Sequence, residues 1–394
     1  MKNFLINNKI IILIVSSIII VTCGTLYFIN HNKNDSNPSN DEVPDLNLSE
    51  EKKKIIGDSD LTKNDDKEDD SNYTDEYKEY TKLSDKEKEK LDVVPRKEKV
   101  PISQIDVIDE QINNNSDIKE ENIPDKFNLA DKIDLKVENQ GHYGLCWAFA
   151  SLNSLETYLA LNNLGNYDFS EIHLDYMRSN LMYGYRDLHA GGSFDDFREY
   201  VLQSGAVLEQ DTEYYKDYTK DEYEKFADMK SIVDVTDIVN FPSIKEISES
   251  DPDYDNKIKS FRNTIKKHIM TNGSLYAAIK STLNTNIYCK KNCLSDHAVS
   301  IVGWDDNYPK EKFKSSDGSM PLNDGAYIIL NSWGENFGDN GYFYISYEDE
   351  LVESQLSGVI STSKENAYKV SDIKSEALRN YVENKYSFSF IEYN

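Results

Sequence analysis

Hydrophobic positions follow four different patterns along the chain. Residues Ile10 to Ile29 form an uncharged run flanked by Lys2 and Lys9. Twenty residues at about 1.5 Å rise span roughly 30 Å, the hydrocarbon thickness of a bilayer. From 30 to 122 apolar residues are sparse and without period. A short helix is expected in the Lys/Glu run near 84–92, and a weak apolar patch at 100–108. From about 123 periodicity returns. After Cys146, the residues Phe149, Leu152, Leu155 and Leu159 recur at intervals of three and four, which predicts a helix beginning at or near Cys146. Further on, the run Ala298-Val299-Ser300-Ile301-Val302 predicts a strand with His297 near its first residue. Ala326 to Leu330 predict another, ending in Asn331 and a glycine-bearing turn. The fourth pattern, 361–394, is a mixed tail expected to be a C-terminal extension.

Composition sharpens this division. The chain has 394 residues, with 44 Lys and Arg against 71 Asp and Glu, a net charge of -27. That balance argues against nucleic acid as a partner, because such binding replaces phosphate counterions with positive side chains. Residues 31–122 hold 27 acidic and 15 basic side chains, so 42 of 92 positions are charged. Such a stretch buries too little apolar surface to offset chain entropy. It is expected to be an acidic disordered linker, 30–122, and a candidate pro-region.

The positive-inside rule leaves residues 1–9 in the cytoplasm, because Lys2 and Lys9 precede the apolar run and no acid occurs in the first 30 residues. Residues 10–29 then read as a transmembrane anchor. Two alternatives are a lipoprotein modified at Cys23 and a cleaved signal segment. All three place the remainder of the chain outside the membrane.

Three segments carry candidate chemistry. Asn139-Gln140-Gly141-His142-Tyr143-Gly144-Leu145-Cys146-Trp147 puts a cysteine at the start of a helix, where unpaired N–H groups and the macrodipole favour the nucleophilic thiolate. A buried, inert cysteine is the plain alternative. His297 lies 151 residues after Cys146, and Asn331 lies 34 after His297. Each of the latter two alone has an ordinary structural reading. Taken together, in the order Cys, His, Asn at these separations, the three segments strengthen one another as candidates for nucleophilic catalysis.

On these residues the sequence resembles the papain family of cysteine proteases. The resemblance is carried by Gln140-Gly141, Cys146-Trp147-Ala148-Phe149, Asp296-His297-Ala298-Val299, Asn331-Ser332-Trp333-Gly334 and Asn340-Gly341-Tyr342. Phe169-Ser170-Glu171, Gly191-Gly192 and Gly273-Ser274 add to it. Tyr143-Gly144-Leu145-Cys146, Val207-Leu208-Glu209 and Gly303-Trp304-Asp305-Asp306-Asn307-Tyr308 are similar to a Gram-positive bacterial cell-surface branch.

The resemblance implies an α+β, two-lobed catalytic domain over 123–360: a helical lobe carrying Cys146 and a β-barrel-like lobe carrying His297 and Asn331. It implies Cys146 as nucleophile, His297 as base, Asn331 as the group orienting the imidazole and Gln140 as an oxyanion donor. Gly191, Gly192, Ala298 and Trp333 would border the substrate, with Trp333 covering the His–Asn pair. No cofactor and no metal are implied, and the partners would be protein or peptide substrates at the cell surface. Tyr143 stands where most relatives have cysteine, so a disulfide usual in the helical lobe is missing. Leu330 replaces a frequent lysine.

Cys289, Cys293 and His297 form C-x₃-C-x₃-H, open to a local disulfide, free thiols or metal ligation on one helix face. The acidic loop at Asp305-Asp306 and 317–324 reads as a solvated loop or a calcium loop. Two rival functions are a catalytically inactive relative used as a binding module and a cell-wall hydrolase of another Cys-His fold.

Overall fold

The structure is a computed structural model and describes residues 70–114, 118–182, 188–313 and 318–363. The expected anchor at 10–29, Cys23 and most of the C-terminal extension lie outside these residues. Among the described residues no helix is long and apolar enough to cross a membrane.

Among the described residues three α-helices precede residue 123: α1 (Asp75–Lys82), α2 (Asp85–Lys88) and α3 (Ile105–Asn113). Thr74 caps α1, its side chain accepting from Tyr77 N, and Ser84 with Glu87 forms a capping box on α2. Linker disorder, expected over 30–122, is therefore corrected from residue 70 onward. The few apolar residues of this stretch fall where they can be buried. Val93 and Ile112 are inaccessible and Ile108 nearly so. Opposite charges meet the acids, with Lys245 at 2.7 Å from Glu76 and Lys267 at 3.0 Å from Asp109. Composition failed here because the apolar surface being covered belongs mostly to the following domain.

That domain is built from α4 (Cys146–Leu161), α5 (Glu171–Tyr176), α6 (Phe194–Gln203), α7 (Lys220–Phe226) and α8 (Tyr254–Asn272), with a π-helical turn at Met177–Met182. Its strands are β1 (Lys126–Asn128), β2 (Asp234–Asn240), β3 (Leu275–Ile279), β4 (Asn286–Ile287), β5 (His297–Asp305), β6 (Ala326–Leu330), β7 (Tyr342–Ser346) and β8 (Leu356–Ser363). They form one mixed sheet in the order β2-β8-β3-β5-β6-β7-β4, with β1 paired to β5. All pairs are antiparallel except β4 with β7. Among the described residues this path is open, with β2 and β4 at its edges, rather than a closed barrel.

Two apolar clusters match the two lobes. One gathers around α4 and includes Trp147, Leu152, Phe169, Phe197 and Tyr200. The other fills the sheet and α8 with Ile265, Ile301, Trp304, Ile329 and Phe343. Helix α4 is buried almost throughout its length and also packs on β5, β3 and β8. The two lobes therefore meet at α4, and its first residue lies beside the start of β5.

Candidate active site

Local sequence explains where each side chain stands. Leu145 is the N-cap of α4, so Cys146 is the first helical residue, as the periodicity predicts. The preceding loop turns at Gly141, whose φ of 62° favours glycine, and Asn139 Oδ1 accepts from Gly141 N at 3.0 Å. His297 begins β5, and Asn331 directly follows β6. Residues 138–140 run against 332–334 through Gln140 N to Ser332 O (2.7 Å) and Gly334 N to Glu138 O (2.8 Å). That pairing brings Gln140 next to Asn331.

The histidine is oriented unambiguously. Its Nε2 lies 2.8 Å from Asn331 Oδ1, which also accepts from Ser332 N at 2.9 Å. The second donor fixes Oδ1 as an acceptor, so Nε2 carries the proton and Nδ1 is left as the basic atom. The Trp333 ring lies 4.7 Å from the imidazole, tilted by 32°, and shields the pair. Ala298 N donates to Cys146 Sγ at 3.3 Å, which places the sulfur beside residues 297–298. Cys146, His297 and Asn331 are all buried.

Burial here has a specific cause: residues 91–96 lie in the cleft. Val93 bridges in parallel to Gly192, Val94 N donates to Gly192 O at 2.8 Å, and Gly192 N reaches Asp92 O at 3.4 Å. A Cβ on Gly191 would overlap the Leu91 carbonyl, and one on Gly192 would strike the Trp147 ring, so both positions require glycine. Sγ meets Asp92 at its carbonyl oxygen, 3.7 Å away. Meanwhile Gln140 Nε2 donates to Tyr143 O at 2.8 Å, and Ser332 Oγ donates to Gln140 Oε1 at 2.7 Å. The segment thus blocks the cleft while its nearest carbonyl presents oxygen, rather than carbon, to the sulfur.

Electrostatics agree with a blocked state. Burial, with Asp92 nearby, pushes the Cys146 thiol up, against the lowering effect of the Ala298 and Trp147 N–H groups. Burial pushes His297 down to about 4, although Asn331 and Asp296 favour its charged form. Exclusion of water disfavours both charges. In this occluded state burial favours the neutral thiol and the neutral imidazole over the charged pair.

Residues 123–363 match the papain family of cysteine proteases, 241 of 394 positions. The chain belongs to that family. It is 29% identical over 256 residues to cysteine proteinase 15A of Pisum sativum, covering 60% of this chain and 62% of that protein. Procathepsin L of Felis catus is 28% identical over 216 residues, 52% of this chain and 55% of the relative. The chain therefore spans somewhat over half the length of these curated relatives. Among solved structures, the cysteine protease and lectin-like domains of Cwp84, a surface layer associated protein of Clostridium difficile, align at 26% identity with a TM-score of 0.58. That alignment covers 75% of this chain and 61% of the other. Clostridial Cwp84 after propeptide cleavage aligns at 30% identity and a TM-score of 0.51, covering 61% and 58%.

Several features of this papain-family site escaped sequence reasoning. In place of the missing helical-lobe disulfide, Tyr143 stacks on His189 at 4.1 Å and 21°, and Gly144 N bonds His189 O at 2.9 Å. Asp175 takes both Arg178 (2.6 Å) and the His189 N–H (2.6 Å), and Arg178 lies 5.3 Å from the Trp147 ring, bracing the Gly191–Gly192 edge. Behind the site, Lys136 Nζ sits 2.9, 2.6 and 2.9 Å from Glu138, Asp168 and Glu209. Burial lifts Glu138 to about 7, and Glu156 and Glu171 well above the carboxylate range. Both Glu171 oxygens are buried without a hydrogen-bond partner. One lysine faces five acids in this hub, and burial favours the protonated forms of Glu138, Glu156 and Glu171. Chain proximity alone gives no sign of it, but Val93-Val94-Pro95, an apolar island in a charged run, was a visible signal of the occluding segment.

The remaining motif resolves simply. Cys289 and Cys293 are joined as a disulfide in the loop after β4, so no helix carries the C-x₃-C-x₃-H spacing. In the acidic loop, Asp306 takes Lys266 at 2.6 and 2.7 Å, and Asp305 takes Lys126 at 2.9 Å.

Proposed function

We propose that this chain is an extracytoplasmic cysteine endopeptidase stored in a latent form, with Cys146, His297, Asn331 and Gln140 as its machinery. The observation that carries the reading is the hydrogen bond between His297 and Asn331 Oδ1, together with the Ala298 N–H that donates to the Cys146 sulfur one residue along the same strand. Departure of 91–96 readmits water, and His297 Nδ1 then takes the Cys146 proton. The thiolate attacks the carbonyl carbon of a peptide bound along Gly191–Gly192. Gln140 Nε2, released from Tyr143 O, and the Cys146 N–H stabilise the oxyanion; one such donor contributes roughly 3 kcal/mol. Collapse expels the amine, which takes the imidazolium proton. Water, deprotonated by His297, then cleaves the thioester.

Surface location is proposed from three supports: the apolar run 10–29 with its flanking lysines, the charged stretch after it, and similarity to a surface layer associated relative. Segment 30–122 is the pro-region in this reading, because its residues 91–96 lie in the cleft and it leads directly to the matched region at 123. The test is peptide cleavage by the matured protein and by Cys146→Ala. Cleavage that survives in Cys146→Ala refutes the mechanism. Fractionation with external protease tests location: catalytic domain found only in the soluble internal fraction refutes it.

A further inference from the structure

We propose that the slot now filled by Arg96 is a substrate subsite for an arginine-type side chain. The inference rests on the peptidase reading above and extends it to substrate class. Arg96 is anchored more thoroughly than its place in a charged run suggests. Its Nη1 donates to Phe241 O at 2.9 Å, and its Nη2 to Leu356 O at 3.0 Å, Ser357 Oγ at 2.7 Å and Asn240 Oδ1 at 3.5 Å. Its backbone N–H donates to Gln355 Oε1 at 2.8 Å. Every acceptor is a neutral oxygen, and together they face a flat fork of donors from several sides, which suits guanidinium better than the single point charge of lysine.

The slot belongs to the sheet and does not depend on Arg96 for its shape. Asn240 and Ser357 are register partners of β2 and β8, and Ser357 Oγ donates to Asn240 Oδ1 at 2.6 Å. Phe241 N bonds Leu356 O at 2.9 Å, fixing the two carbonyls relative to each other. These acceptors therefore remain converged once the segment leaves. Burial lowers the Arg96 guanidinium from its ordinary value, and Asp195, in the first turn of α6 just after Gly191-Gly192, partly offsets this.

Position agrees with a substrate role. Arg96 is four residues beyond Asp92, whose carbonyl meets the nucleophile, and two beyond Val94, which bonds Gly192. Four residues of extended chain cover at most about 14 Å. A substrate lying along the same Gly191–Gly192 edge, in the direction opposite to 91–96, reaches the slot with a residue two to four positions before the bond being cut.

The experiment uses the full chain after maturation, with peptide libraries carrying arginine, citrulline, lysine or norleucine at the second, third or fourth position before the scissile bond. Arginine is expected to exceed norleucine about 10- to 100-fold in kcat/KM at one of these positions, as multiple charge-assisted bonds require. Ser357→Ala should lower that ratio several-fold. A flat response at all three positions, in protein that cleaves other peptides and labels at Cys146, overturns the subsite and leaves the peptidase reading intact. A preference unmoved by Ser357→Ala also overturns it. Protein that neither labels nor cleaves refutes the peptidase reading and the subsite with it.

Discussion

Occlusion of the cleft by Val93 can be tested through the reactivity of one sulfur. Val93 is inaccessible and belongs to the same apolar cluster as Trp147, Phe194, Tyr276 and Ala298. Val93→Ala removes two carbons at about 0.8 kcal/mol each, and the residual cavity brings the loss to about 2 kcal/mol. At 1.4 kcal/mol per factor of ten, the open fraction rises about 30-fold. The readout is alkylation of Cys146 by iodoacetamide at pH 6, located by mass spectrometry. An ordinary thiol of pKa about 8.5 is under about 1% ionised at that pH, and burial pushes the occluded Cys146 higher still. Labelling therefore passes through the open form, where His297 can accept the proton. The latent chain should label slowly and Val93→Ala about 30-fold faster, with unchanged circular dichroism. Equal rates in a folded variant refute the reasoning, as does rapid labelling of the latent chain itself.

Acid should promote release: occluded His297 stays neutral down to about 4, whereas an open histidine takes a proton below about 6.5. Maturation followed by gel should thus run faster at pH 5 than at pH 7, and the reverse order contradicts the burial argument. In matured protein, Gln140→Ala should lower kcat by about 10²–10³ with KM nearly unchanged, and His297→Ala should do at least as much damage. The acids behind the site predict an alkaline weakness. Glu171, Glu156 and Glu138 are raised by burial, so their contribution is complete below about 4.5 and fades as pH rises through the shifted values. Thermal unfolding should come earlier at pH 8.5 than at pH 5.5, and Glu171→Gln should narrow that gap; a gap left unchanged removes Glu171 from the hub. Gly191→Ala should speed labelling of Cys146 in the latent chain, since its Cβ collides with the Leu91 carbonyl, and no change would argue against that close approach.

What the sequence made legible was what repeats or stands in order. Helix α4 declared itself through Phe149, Leu152, Leu155 and Leu159, and β5 through its β-branched run after His297. The order of Cys146, His297 and Asn331 assembled the site before any contact was known. The occluding segment was marked only by the apolar island Val93-Val94-Pro95, because its stability comes from distant parts of the chain: Val93 and Arg96 find partners at Gly192, Phe241, Leu356 and Ser357. The carboxylate hub was hidden for the same reason, since Glu138, Asp168 and Glu209 are distant in sequence. For Cys146 a helix start favours thiolate, whereas burial in the occluded cleft works the other way, and only the second effect depends on contacts distant in sequence.

The stack of Tyr143 on His189 has a consequence for how this cleft meets oxidants. A thiol nucleophile is useful only while reduced, and surroundings reducing enough to keep it so also threaten any sulfur–sulfur link nearby. Here the loop that shapes the cleft edge is clasped by two ring faces and a backbone bond. The one disulfide among the described residues lies in a different loop, after β4. Changes in ambient redox poise then act on Cys146 alone along this edge of the cleft. If Cys146 acts as proposed, its oxidation and reduction would leave this clasp of the cleft loop untouched.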